Sequence, residues 1–514
     1  MMKKRYQVIL LAAGICAAAQ PFAAFADGNE MAGGWQMEGE QWIYLEEDGT
    51  RASDRWVRDG EDWYYLNGDG YMASNQFIDG DSLRYVDSDG KMVKDRWISV
   101  ENRDENGEEL CEQDVSVLWY YFDRDGKAKD EEGEEVLIPV KKEREEEAQP
   151  GPGGQKDKYF FDSDGHMLSG WQKVTNQKGE TKIYYLGTEN EGYAHLRWQY
   201  LEPDEEMFED ESLAVDYDAY EMFYFGWNGD MTMNDESRLE GKHFLFDANG
   251  VMQTGWQPGF AIDEEDYDIN KYYDETNGSR ASGWLYAYDP GDSDKAHWFY
   301  CDDKTGYVFN EGGVESEDGR GIGVKTIRGK SYFFDRQGRM ITGLICTDPA
   351  LDPGTDAFTE DEFADLEGCT IGKKGSLRYP GIYYLSQKDS DLGELRTNEL
   401  LKLSDGYEEN YYYLDSKGRA YINAVVKDNI FGPDGRRLQS DSGWEVIEVE
   451  EDIYERNDYK RDGTLDDNAE PLIRAGESVI VNSSGKLKKH TKARVDGVTY
   501  EVGNNYVAAP VEKD

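Results

Sequence analysis

The sequence predicts an all-β chain, a solenoid of stacked β-hairpin repeats of about 20 residues with inserted acidic loops. Three observations carry that prediction. Strand-entry rings recur at Trp35, Trp56, Phe77 and Trp97, turn glycines at Gly49, Gly70 and Gly90, and strand tyrosines at Tyr44, Tyr65 and Tyr85, all on one shared step. Short aromatic runs are closed by Asp-Gly or Asn-Gly pairs, which is hairpin chemistry, because rings favour extended backbone and glycine takes the positive φ of a tight turn. The composition also supports folding: a formal net charge of −52 would suit a disordered chain, but 13 Trp, 36 Tyr and 19 Phe supply rings that such a chain lacks.

One unit reads Arg55-Trp56, a turn at Asp59-Gly60, the strand Trp63-Tyr64-Tyr65-Leu66, the turn Asn67-Gly68-Asp69-Gly70 and the return Tyr71-Met72. Alternation puts Trp63 and Tyr65 on one face and Tyr64 and Leu66 on the other, so both faces are apolar. A lone two-stranded hairpin is marginal in water, and stacking is the way to cover it. Burying one ring, about 150–250 Å² at about 25 cal/mol/Å², contributes an upper bound of roughly 4–6 kcal/mol.

The elements follow in order. Residues 1–26 read as a secretory signal, with Lys3, Lys4 and Arg5 before an apolar run and a small-x-small site at Ala24-Phe25-Ala26, so the chain is expected to be secreted. The apolar run is too short for a membrane span, and the C-terminal residues carry no wall-sorting pattern, so surface retention is expected to be non-covalent. Residues 27–129 hold the most regular repeats, ending with Trp119-Tyr120-Tyr121-Phe122 and Gly126. Residues 130–157 are Glu-rich with Pro150-Gly151-Pro152-Gly153-Gly154 and read as a linker or insert.

Residues 158–442 hold degenerate repeats, marked by Phe223-Tyr224-Phe225, Phe244-Leu245-Phe246, Trp298-Phe299-Tyr300, Tyr332-Phe333-Phe334 and Tyr411-Tyr412-Tyr413-Leu414. Acidic inserts interrupt them near 203–216 and 348–376, the second with either a short helix over 359–366 or a surface loop. Residues 443–514 form weaker repeats around Val479-Ile480-Val481.

Several functions are excluded or disfavoured. Phosphates would be repelled by this charge, so nucleic acid is not an expected partner. No segment outside the repeats is long enough for a catalytic domain, and His166, His195, His243, His297 and His490 sit in repeat positions without an HExxH or GxSxG pattern; no catalytic residue and no cofactor are expected. Cys111, Cys301, Cys346 and Cys369 lack zinc-type spacing; Cys346 with Cys369 is open as a bridge, and four buried thiols is the other reading. The Asp-x-Asp-Gly runs at 87–90, 123–126 and 162–165 lack the closing Glu of a calcium loop and read as turns, so no metal ligand is expected.

Gly170-Trp171, Gly255-Trp256, Trp63-Tyr64-Tyr65-Leu66 and Asp89-Gly90-Lys91-Met92 resemble the cell-wall-binding repeat of the choline-binding type, and 241–256 and 329–343 resemble the related repeats of clostridial toxins and streptococcal glucan-binding proteins. The resemblance implies a hairpin solenoid whose neighbouring rings cage the trimethylammonium group of wall choline through cation–π attraction, weakly per cage and strongly by number. It places the ligand on Trp42, Tyr44, Trp56, Trp63 and Tyr65, then on Phe77, Tyr85, Trp97, Trp119 and Tyr121.

Elsewhere the leading Trp of the second strand gives way to Leu83, Lys158, Ile183, Met222, His243, Lys271, Ser331 and Ile382, so a full cage is expected in few repeats. Three readings stay open. These are a binder of cell-wall polymer such as choline-bearing teichoic acid, a carbohydrate-binding adhesin that stacks sugars on the same rings, and a ligand-free stalk.

Overall fold

The computed structural model describes residues 33–103, 107–111, 113–139, 156–204, 207, 219–258, 269–289, 292–309, 322–335, 337–346, 381–404, 409–460 and 463–511. The expected signal, the possible 359–366 helix and Cys369 lie outside them. Among the described residues the chain is all β, in two- and three-stranded sheets, with one 3-10 turn at Arg456–Asp458. No described helix is long and apolar enough to cross a membrane. The chain divides into two compact units, 1–253 and 254–514.

The predicted unit is present as read. Arg55–Asp59 pairs antiparallel with Asp62–Leu66, placing Trp56 opposite Tyr65 and Arg58 opposite Trp63. The same register recurs with Trp35 opposite Tyr44, Phe77 opposite Tyr85 and Trp97 opposite Tyr121. The last three of these hairpins are entered through a left-handed residue, Asp54 at φ 53°, Asn75 at 48° and Asp95 at 47°, a conformation that Asn and Asp tolerate better than other side chains.

Stacking is fixed by backbone bonds from each return segment to the preceding hairpin. Met72 N–H donates to the Trp42 carbonyl, Met92 to Trp63 and Met167 to Trp119, each at 2.8 Å, and Ala128 donates to Leu83 at 2.9 Å. Turn glycines make the close approach possible. A Cβ on Gly90, at φ +77°, would lie 2.7 Å from the Met72 sulfur, so glycine serves both the backbone angle and the contact. The turns themselves are closed by side chains, as where Asp87 Oδ1 accepts the amides of Asp89 and Lys91 at 3.0 Å.

The two faces of the second strand are not equivalent. Tyr64 and Leu66 are 2% and 0% exposed and form the core between hairpins, whereas Trp63 and Tyr65 stay half-buried. Stacking therefore covers one face fully and leaves a row of rings at the surface.

The insert at 130–157 contributes a strand at each end, Val136–Pro139 paired with Lys156–Tyr159, and Ile138 joins the core beside Tyr121 and Phe161. In the second unit the C-terminal region departs most from the repeat. Ala424–Val426 pairs antiparallel with Asn429–Phe431 and parallel with Tyr454–Glu455, over an aliphatic core of Val425, Ile430, Val449, Ile453, Ile473, Val479 and Val481. Branched aliphatic side chains there do the packing that rings do elsewhere.

Candidate functional site

The hairpin register builds the same ring pair again and again. Trp35 meets Tyr44 at 5.2 Å, Trp56 meets Tyr65 at 5.2 Å, Phe77 meets Tyr85 at 5.0 Å and Trp97 meets Tyr121 at 5.1 Å between centroids, with steeply inclined planes. The first three are edge-to-face contacts, the favoured geometry for rings with a negative face and a positive rim, and Trp97 with Tyr121 is tilted at 57°. The first-strand ring also leans on the next hairpin: Trp35 on Tyr64 at 5.0 Å, Phe77 on Tyr120 at 4.8 Å and Trp97 on Tyr159 at 5.0 Å. At Trp56 the corresponding position is Arg84, whose guanidinium carbon lies 5.9 Å from the indole centroid while Nη1 bonds Asp81 at 2.6 Å.

Carboxylates border two of these pairs. Tyr65 donates its hydroxyl to Asp54 and Tyr121 donates to Asp95, both at 2.5 Å, because the left-handed entry residue is turned back over the hairpin. Burial, with the hydrogen bond to Asp54 added, pushes the Tyr65 hydroxyl up to about 12; the same two causes raise Tyr121. An anionic rim beside ring faces favours a cationic ligand.

The third ring is the leading Trp of the second strand. Trp97 and Trp119 stand 6.4 Å apart at 82°, and with Tyr121 and Tyr159 they form a four-ring group in the first unit. A neighbouring loop reaches its edge: Trp119 Nε1 donates to Asn190 at 3.3 Å, and Ser116 donates its amide and hydroxyl to Glu189 at 2.6 and 2.7 Å.

The ten residues named from the sequence are thus distributed unevenly. Trp97, Trp119 and Tyr121 converge, although Tyr121 is itself buried. Trp56 and Tyr65 form a pair beside Arg84; Tyr44 pairs with Trp35, a ring the sequence reading left out. Trp42 and Trp63 are half-buried on the ring row, and their carbonyls take the inter-hairpin bonds. Phe77 and Tyr85 are partly buried and pack against Val93, Leu118, Tyr120 and Phe122, with Leu83 standing at the leading position of their second strand where Trp stands in others.

The reading also missed a second convergent group, in the other unit. Trp284 lies 6.2 Å from Trp298 at 88°, 5.3 Å from Tyr300 and 4.8 Å from Tyr332, and Tyr286 adds a fourth contact at 5.0 Å from Trp298. This repeats the Trp97, Trp119, Tyr121 and Tyr159 arrangement position by position. Trp284 and Trp298 are 37% and 36% exposed, and Tyr286 is 59% exposed, so these faces are open to a ligand. The match of Trp298-Phe299-Tyr300 to Trp119-Tyr120-Tyr121 was visible, but the long hairpin, Gly283–Asp289 with Asp292–Cys301, hid its partner strand.

One polar cluster lies outside the ring row. Cys111, Asp162 and His166 bring one ligand-type atom each within 4.8 Å of one another. His166 Nδ1 bonds Asp162 Oδ2 at 2.8 Å; burial alone would lower this imidazole, and the bonds to Asp162 and Cys111 outweigh it and raise it to about 9. Sequence spacing gave no sign of the group, whose members come from an inserted loop and a repeat turn.

Comparison with known proteins finds likeness over parts of the chain. The cell wall binding repeat family of the choline-binding type matches residues 33–50, 54–72 and 119–128. Glucosyltransferase-S of Streptococcus mutans is 24% identical over 262 residues, covering 42% of this chain and 17% of the enzyme, so the chain spans a small part of that relative. Among solved structures, the modular autolysin LytC of Streptococcus pneumoniae, in complex with a synthetic peptidoglycan ligand, is 20% identical with a TM-score of 0.33, over 61% of this chain and 54% of its own. Choline binding protein F of the same species, in the presence of a peptidoglycan analogue, is 19% identical with a TM-score of 0.28, over 80% of this chain and all of its own. In those three segments the chain is similar to cell wall binding repeats of the choline-binding type.

Proposed function

We infer that the protein is a secreted, non-catalytic surface protein that holds a bacterial wall polymer through cationic substituents such as choline. The observation that carries this reading is the recurrence of one ring geometry in both units, Trp97 with Trp119 and Trp284 with Trp298, each completed by a Tyr across the hairpin and another from the next. A quaternary ammonium cannot donate hydrogen bonds, so ring faces are its natural partner, at roughly 0.5–2 kcal/mol per contact. Sites of that strength hold a polymer only when several engage one strand together. The Asp95 carboxylate on the rim of the first group adds attraction for a cation.

The exposed Tyr286 beside Trp298, and the exposed Tyr200 and Tyr220 rings 5.3 Å apart at 34°, favour a second reading in which flat rings stack on sugars. Retention on purified walls with millimolar choline as competitor separates the two. Release by choline supports the cationic ligand; retention that choline does not touch moves the assignment to glycan, and absence of saturable binding leaves a stalk.

A further inference from the structure

We propose that Cys111, Asp162 and His166 form a binding site for a thiophilic divalent metal ion of the zinc class, with three protein ligands and one position left for water. A thiolate, an imidazole and a carboxylate are the donors that zinc combines, and the sulfur and nitrogen disfavour calcium and magnesium. Their ligand atoms lie within 4.8 Å of one another, against the roughly 3.3–3.8 Å between neighbouring donors on a tetrahedral ion with 2.0–2.3 Å bonds. His166 Nδ1 and Asp162 Oδ2, now 2.8 Å apart across a hydrogen bond, separate slightly when the ion replaces the shared proton.

The site is built in advance. Asn102, 2% exposed, clasps the loop that carries Cys111: its Oδ1 accepts the amides of Leu110 and Cys111 at 3.2 and 3.0 Å, and its Nδ2 donates to the Val115 carbonyl at 2.9 Å. Asp162 Oδ1 is fixed by the amides of Asp164 and His166 at 2.9 and 2.8 Å, which aims Oδ2 at the imidazole. Gln113 Nε2 reaches the same oxygen at 3.4 Å, and the His166 ring, 7% exposed, rests on Tyr120 at 5.2 Å.

Comparison among the repeats sharpens the point. The residue four places after the turn Asp is a cation in four other units, Lys91 after Asp87, Lys127 after Asp123, Arg339 after Asp335 and Arg419 after Asp415, and an apolar Val251 after Asp247 in a fifth. Here it is a histidine, and it is met by a thiol from the long loop between Glu101 and Val117, where the Arg55–Asp59 and Asp62–Leu66 strands are joined by a tight turn. A bound ion fastens that loop to the turn of the following hairpin, against Tyr120.

The test is cobalt(II) and zinc(II) binding to the metal-stripped mature chain in the presence of millimolar magnesium and calcium, which occupy non-specific carboxylates. The expected result is one tightly held equivalent, with a thiolate-to-cobalt charge-transfer band that disappears in Cys111→Ser and zinc affinity that falls at least tenfold in His166→Gln. Slower alkylation of Cys111 by iodoacetamide when zinc is present, located by peptide mapping of the unmutated protein, is expected as well and does not depend on variant folding. Metal that magnesium displaces, a cobalt spectrum without the sulfur band, or Cys111 labelling indifferent to zinc would each overturn the site.

Discussion

The Trp97 and Trp119 rings meet edge to face at 6.4 Å and 82°, and Trp284 and Trp298 repeat the relationship at 6.2 Å and 88°. In each pair one indole comes from the first strand, where register sets it opposite a Tyr, and the other lies two residues before that Tyr on the second strand. The corner so formed has two ring faces at right angles, which is the shape a compact cation fills.

Trp119→Ala and Trp298→Ala each remove one wall of such a corner. Each single variant is expected to weaken wall retention by about 2- to 30-fold, the equivalent of about 0.5–2 kcal/mol, and the double variant by roughly the product if the two units act on separate groups. Sedimentation isotherms with purified walls measure this, and far-UV circular dichroism checks that the hairpins persist.

Binding and folding residues separate along one strand. Leu66, fully buried, is expected to cost about 2–5 kcal/mol of the first unit's stability when changed to Ala, whereas Trp63→Ala, on the half-buried face, costs less than Leu66→Ala and leaves the stack in place. Denaturant titration followed by tryptophan fluorescence compares them; equal losses would contradict the assignment of faces.

How far the sequence could be read follows from the same residues. The step that joins Trp35, Trp56, Phe77 and Trp97 was legible because turn glycines and rings are fixed by local chemistry. Which face becomes core was not, since Tyr64 and Tyr65 are the same residue type and only the next hairpin decides which is covered. Trp284 escaped notice because its partner strand is long and follows an irregular turn, so its register with Tyr300 appears only once the strands pair. The Cys111 and His166 contact depends on how a loop folds over a neighbouring turn, and no periodicity encodes that.

Gly90→Ala is expected to destabilise the first unit through two separable causes. The left-handed backbone costs roughly 1–2 kcal/mol for a residue with a Cβ, and the new methyl meets Met72 at 2.7 Å. Adding Met72→Ala relieves the clash and not the backbone cost, so the double variant should recover only part of the loss beyond that of Met72→Ala alone. Thermal midpoints of the four proteins close the cycle; full recovery would show that the backbone angle contributes nothing.

The Tyr65 hydroxyl bonded to Asp54 makes an alkaline prediction with a definite sign. Its folded value is raised to about 12, above the ordinary tyrosine value near 10, by burial first and the Asp54 bond second. A raised pKa means the native state keeps a proton that the unfolded state gives up. The contribution is therefore whole below about pH 10 and is lost as pH rises toward 12. Asp54→Asn removes the carboxylate that holds the proton, so Tyr65 should titrate lower and the alkaline loss of stability should shrink. Tyr65→Phe should remove this residue's share of the loss altogether. Ultraviolet titration of tyrosinate alongside chemical unfolding across pH 8–12 measures both, and an unchanged alkaline limb in Asp54→Asn would mean that the Asp54 bond does not hold the Tyr65 proton.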